Sequence, residues 1–309
     1  MKFFFALLLA ICWSSLASAA PLKVVCTTGM VADVVRHIAG DRAEVTTLIG
    51  EGVDPHLFKP TRDDVAKLLR ADMIFYSGLL LEGRMEETFR KISARGTPVV
   101  AITGTLRKDS LSGDAHHPDP HVWMDPALWE QTIPAATSAL ANRDPEGKAT
   151  FETNATQYSQ ELQALDEYVK RVIATIPQNQ RVLITAHDAF HYLGRATDLQ
   201  VMSIQGISTE SEAGVADINR IVDAVVKNEI PAVFVESSVP DKNVRAVIEG
   251  AAARGHTLRL GGELYSDAMG ASGTYEGTYV GMLDHNATTI TRALGGEAPS
   301  GGMSGKLRP

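Results

Sequence analysis

The chain has 309 residues, a formal net charge of −8 and 44% hydrophobic residues. The acidic balance excludes nucleic-acid binding, and the apolar fraction is ample for a buried core. Cysteine occurs only at Cys12 and Cys26, so removal of an N-terminal leader would leave no intrachain disulfide.

Residues 1–20 read as a signal peptide. Lys2 precedes an apolar run over 3–12, and Ala17-Ser18-Ala19 forms a small-residue cleavage site. The run is too short to span a bilayer. Ile11 before Cys12 is too bulky for a lipid-attachment site, so the expectation is a periplasmic protein released by cleavage rather than a lipoprotein.

The remaining length suits two domains. Residues 23–27 predict a buried strand, and 30–38 a helix with Gly40 at its C-cap. A strand at 45–49 follows. Thr61 caps a helix over 63–70. A strand at 72–76, a helix over 82–92 and a strand at 98–102 continue the alternation, which implies parallel βαβ units. A polar loop over 104–120 leads to a helix over 126–140. In 151–177 Phe151, Ala155, Tyr158, Leu162, Leu165, Val169, Val172 and Ile176 recur at helical spacing until Pro177. That predicts one long helix connecting an N-terminal α/β lobe, 21–150, to a C-terminal one, 178–294. In the second lobe strands are expected at 181–185, 200–204, 232–235 and 257–260. Helices are expected at 189–196, 215–227, 243–254 and 278–294. The tail, 295–309, is rich in Gly, Ser and Pro and is expected to be disordered.

The tripeptide Asp-Pro-His occurs twice, at 54–56 and 119–121. Proline fixes its own φ and holds the residue before it extended, so each corner presents its histidine stiffly. An ordinary turn histidine is the plain alternative. His187 follows an apolar strand in "LITAHDAF", at the edge where parallel sheets place ligands. Glu263 or Asp267 in "GGELYSDAMG" supplies a carboxylate. His56, His121, His187 and Asp267 would together make a four-ligand site suited to Zn²⁺, Mn²⁺ or Fe²⁺. Four protein ligands leave no open position for catalysis, which favours holding a metal over using one. The competing enzyme reading is a secreted zinc-dependent hydrolase with Glu210 or Glu212 as base. A scaffold with a structural metal is a third. Asp54 and Asp119 either orient the imidazoles or cap local turns. Glu236 reads as a hydrogen-bonding group of the cleft loops. His37 reads as exposed, His191 as a core-packing residue one helical turn past His187 that could share its face, His285 as structural, and His116-His117 as a solvated pair.

The blocks "VDPHLFKPTRDDV", "DPHVWMD", "LITAHDAFHYLGR", "VFVESS" and "GGELYSDAMG…GTYVGMLDHN" resemble the solute-binding proteins of bacterial zinc/manganese ABC importers, the TroA type. The resemblance covers nearly all of 23–294. It implies two α/β lobes joined by one rigid helix, with the metal between them on His56, His121, His187 and Asp267. It also implies a monomer with an ABC permease as partner and no enzymatic activity. The cargo would be Zn²⁺ or Mn²⁺, with Fe²⁺ allowed. His187 matches the zinc-capable subtype, whereas the His-rich loop of zinc-specific members is absent. Some members of the same superfamily are grouped under cell adhesion.

Overall fold

The computed structural model describes residues 20–114 and 117–308. The leader expected at 1–20 lies outside these except for Ala20, as does His116. The elements run β1 (Leu22–Cys26), α1 (Gly29–Ala39), β2 (Ala43–Thr47), α2 (Arg62–Arg70), β3 (Met73–Tyr76), α3 (Glu86–Ser93), β4 (Val99–Ala101), α4 (Pro126–Glu130), α5 (Ile133–Arg143) and α6 (Lys148–Ile173). They continue with β5 (Val182–Thr185), α7 (His191–Thr197), β6 (Gln200–Ser203), α8 (Val215–Lys227), β7 (Ala232–Glu236), α9 (Lys242–Ala253), β8 (Arg259–Leu264) and α10 (Tyr279–Ala293).

In the N-terminal lobe the strands form one parallel sheet, ordered β2-β1-β3-β4. In the C-terminal lobe β5 pairs with β6 and β7 with β8, both parallel, and β5 lies beside β7. The α/β class with parallel sheets follows from hydrophobic runs such as Met73–Tyr76 and Ala232–Glu236, buried by helices on their faces. Thr61 and Asp64 close a reciprocal capping box at the start of α2.

The segment expected as one helix over 126–140 is two. Pro134 lacks an N–H and sits in the first turn of α5, after a break at Gln131–Thr132. The last strand is longer than expected, because Gly261 and Gly262 lie within β8. A Cβ on Gly261 would meet the Phe234 ring at 2.6 Å, so glycine here marks close packing and not a loop.

The long helix α6 has 26 residues and is about 39 Å long at 1.5 Å per residue. It ends four residues before Pro177. Along α6, Tyr158 and Asn154 bond α1, through Asp33 Oδ2 (2.7 Å) and Ile38 O (3.0 Å). Tyr168 bonds Thr288 on α10 (2.7 Å). The helix is therefore buried against both lobes. One apolar cluster runs unbroken from Val24 and Val35 through Phe151 and Leu165 to Phe234 and Ile290.

The tail is not disordered. Leu307 is buried, and the Met303 N–H donates to both oxygens of Asp284 (2.9 Å each). Composition missed this because the tail is held by a buried carboxylate on α10, a partner far from it in sequence. His37 is half-buried, its ring stacked on Tyr158 (centroids 4.1 Å), and not the exposed residue expected. His191 is exposed and opens α7. His187 lies before that helix, so the two share no helical face.

Candidate metal centre

Each Asp-Pro-His corner is closed by its own aspartate. The His56 N–H donates to Asp54 Oδ1 (2.8 Å), and the His121 N–H to Asp119 Oδ1 (3.0 Å). The proline between them supplies the fixed φ of the turn. His187 follows β5, and its N–H donates to Glu236 Oε1 at the end of β7 (2.9 Å). Asp267 lies three residues beyond β8.

The four side chains converge. His121 Nε2 lies 3.3 Å from both His56 Nε2 and His187 Nε2. Asp267 Oδ1 is 3.2 Å from His121 Nε2, and Oδ2 is 3.1 Å from His187 Nε2 and 3.8 Å from His56 Nε2. Donor atoms set tetrahedrally about 2.05 Å from a zinc ion have edges of about 3.3 Å. Four of these separations, 3.1–3.3 Å, match that figure, and the fifth, from Asp267 to His56, is longer at 3.8 Å. The Asp267 oxygens are fully buried, yet their contacts lack hydrogen-bond alignment. Such a carboxylate needs positive charge beside it, which protonated His121 and His187 supply in the metal-free protein and a bound ion would supply in their place.

Two rings have their orientation set from behind. His121 Nδ1 lies 2.7 Å from Asp119 Oδ1, and His187 Nδ1 lies 2.5 Å from Glu236 Oε2. A carboxylate there takes an Nδ1–H, which leaves the Nε2 lone pair aimed at the centre. Asp119 thus orients its ring as well as capping its turn. Asp54 only caps: its second oxygen accepts from Thr209 of the other lobe (2.5 Å), and His56 Nδ1 has no protein partner among the described residues. Glu236 does more than tie the cleft loops together. A carboxylate ending a buried strand beside a candidate histidine was the signal for it.

The electrostatics divide the histidines. Burial opposes charge on His121, but Asp119 and Asp267 outweigh it and raise the ring to about 9. Burial likewise opposes charge on His187, and Glu236 and Asp267 carry it well above the ordinary value. Burial dominates at His56, which falls to about 4 against the pull of Asp267 and with the repulsion of His121 and His187. Burial would raise the Asp267 carboxyl, and the two imidazoles hold it well below the usual range instead.

His56 is also the one ring near the surface, 8% exposed against 0% for His121 and His187. Beside it opens a cavity of about 500 Å³ between the lobes, lined by Leu79, Leu80, Pro118 and Ile207. Its wall is a tight loop with Gly78, Leu79 and Leu80 all at positive φ (92°, 54° and 65°). Left-handed leucines persist only where the surroundings over-determine them. Buried Glu82 does so, accepting from Thr27 Oγ1 (2.6 Å), Ser77 N (2.8 Å) and Gly78 N (3.1 Å).

The other candidates lie elsewhere. Glu263 is exposed within β8, Glu212 is exposed, and Glu210 is engaged by Arg84 (2.6 Å) at the cavity rim. His117 is exposed, and His285 Nε2 lies 2.9 Å from Glu263 O. Among the described residues the four converging side chains are the one cluster of metal-ligating groups.

The same architecture recurs in a protein of solved structure, and the sequence has known relatives. The manganese-binding lipoprotein MntA of Bacillus subtilis is 44% identical over 275 residues, covering 88% of this chain and 90% of that one. The iron-binding protein YfeA of Yersinia pestis is 30% identical over 281 residues, covering 90% and 88%. The solved structure of the periplasmic zinc-binding protein TroA from Treponema pallidum superposes with a TM-score of 0.86 at 44% identity, covering 89% of this chain and 99% of that one. Residues 24–293 match the family described as zinc-uptake complex component A, periplasmic, and the chain belongs to that ZnuA family.

Proposed function

We propose that the protein captures one divalent transition-metal ion outside the cytoplasm and delivers it to an ABC permease. The ligands would be the three Nε2 atoms of His56, His121 and His187 and the carboxylate of Asp267. The observation that carries this reading is the convergence of three Nε2 atoms on the buried Asp267 carboxylate, at 3.1–3.8 Å. The cargo is Zn²⁺ or Mn²⁺, with Fe²⁺ also accommodated, in keeping with the named cargoes of TroA, MntA and YfeA. Four protein ligands complete a tetrahedral shell, so the bound ion is held rather than offered a substrate. The protein acts as a monomer. Its two lobes, 21–150 and 178–294, are domains joined by the segment over 151–177, most of which is α6.

Isothermal titration of metal-stripped protein with Zn²⁺ and then Mn²⁺ tests the reading. One site in the nanomolar range, weakened at least tenfold by His187→Ala and by Asp267→Ala, is expected, as removal of a ligand from a closed shell requires. Binding indifferent to both substitutions would refute the ligand set. The mass of the mature N-terminus decides between cleavage after Ala19 and lipidation at Cys12, the latter being the arrangement that MntA's name describes.

A further inference from the structure

The two Asp-Pro-His corners look alike in sequence but are wired differently. Asp119 spends one oxygen on both the backbone and the ring of His121. Asp54 caps His56 with one oxygen and gives the other to Thr209, across the cleft. Thr209 belongs to residues 205–211, a segment that leaves the end of β6 and crosses the cavity rim. At its base the Gln205 N–H donates to Ala186 O (2.9 Å), and the Asp188 N–H donates to Gly206 O (3.3 Å). Those bonds flank His187 on both sides. Gln205 Nε2 then braces the segment through Ser211 O (3.2 Å). Farther along, Glu210 accepts from Arg84 Nε and Nη2 (3.0 and 2.6 Å).

We propose that residues 205–211 form a strap that couples the His56 corner to the His187 loop, with Asp54 and Thr209 as positioning residues that govern how fast a bound metal ion leaves. The inference rests on the metal-capture reading above. His121 and His187 are each locked by a carboxylate on Nδ1, so neither ring can turn away without breaking a buried ionic hydrogen bond. His56 has no such lock. It stays in place because its corner is held, and the corner is held by the buried Thr209 hydroxyl. Release through the cavity beside His56 requires that corner to move, and its movement requires the Asp54–Thr209 bond to break. The Arg84–Glu210 pair repeats the connection at the surface. Both side chains there are well exposed, so that pair contributes little.

The test is the rate of zinc loss from zinc-loaded protein into excess EDTA, followed by stopped flow. Thr209→Val keeps the shape and deletes the donor, and loss about tenfold faster is expected, the usual effect of removing a part-buried bond to a charged acceptor. Thr209→Ser keeps the hydroxyl and should restore a rate within about twofold of wild type. Arg84→Gln should change the rate by less than about threefold, as an exposed pair does. The metal-free Thr209→Val protein should melt only a few degrees lower than wild type, as loss of one hydrogen bond predicts, and Thr209→Ser and Arg84→Gln close to wild type. Should Thr209→Val fail to fold, Thr209→Ala makes the same deletion with less bulk. Unchanged release in the folded Thr209→Val or Thr209→Ala protein overturns the strap. So does equal acceleration in Thr209→Ser, which would make the effect one of packing. Wild-type protein that takes up no zinc at all overturns the metal-capture reading itself, and the strap with it.

Discussion

Zinc uptake at neutral pH should expel close to two protons per ion. His121 sits at about 9 and His187 is raised well above its ordinary value, so at pH 7 both rings carry a second proton. An imidazole coordinates only after Nε2 has lost that proton. Moving His121 from about 9 to pH 7 costs about 3 kcal/mol at 1.36 kcal/mol per unit, a loss of about a hundredfold in apparent affinity. His187 adds its own cost, whereas His56, at about 4, adds none. The sign follows directly. Both groups are raised, so apparent affinity climbs with pH until His121 passes its value near 9, and below that protons compete with the ion. With two protons displaced, apparent affinity falls about a hundredfold from pH 7 to pH 6. Titration calorimetry at one pH in buffers of different ionisation enthalpy counts the protons directly. Fewer than one proton released at pH 7 would refute the assignment of both rings as carboxylate-locked cations in the metal-free protein.

Other substitutions probe the supports of the site and of the fold. Glu236→Gln removes the charge behind His187 Nδ1 and should weaken zinc binding about 10–100-fold by calorimetry while all four ligands remain. Tyr158→Phe leaves Asp33 Oδ2 without its buried donor and should cost about 1–3 kcal/mol in urea unfolding. Asp33 raises His37 to about 9 against burial, so the contribution of His37 is complete below its ordinary value near 6.5 and lost as pH rises through 9. His37→Gln should flatten the urea midpoint across that window. Ending the chain at Gly302 strips Asp284 of the Met303 N–H and should destabilise by about 1–3 kcal/mol, read as a lower urea midpoint with unchanged zinc affinity.

What the amino-acid sequence makes legible is whatever is carried by local pattern. The alternation of short apolar runs with helical periodicity foretells parallel sheets, and the unbroken heptad-like spacing from Phe151 onward foretells α6. Proline beside histidine foretells the two stiff corners, and the structure brings His56, His121, His187 and Asp267 together. The less legible features depend on distant partners. Nothing local distinguishes Asp54 from Asp119, because the difference lies in Thr209, 155 residues away. Gly261 and Gly262 read as a loop because the Phe234 ring that requires them belongs to another strand. The tail reads as disordered because its anchor, Asp284, is invisible to composition. Pro134 is the exception, a local signal within the segment, which splits a helix that hydrophobic spacing alone would carry through.

The largest apolar cluster, which threads both lobes by way of α6, has a thermodynamic consequence. Each lobe also holds a smaller cluster of its own, around Ile74 and Phe89 in one and Ile221 and Val233 in the other, but unfolding either lobe would open the shared cluster, so heat or denaturant should dismantle the molecule in one cooperative step. A body that melts as a unit is also a poor hinge. The loaded and unloaded forms should then present nearly the same bulk outline to anything outside. The difference between them should be confined to a few loop residues at the cleft mouth, which is where a receptor would have to tell one from the other.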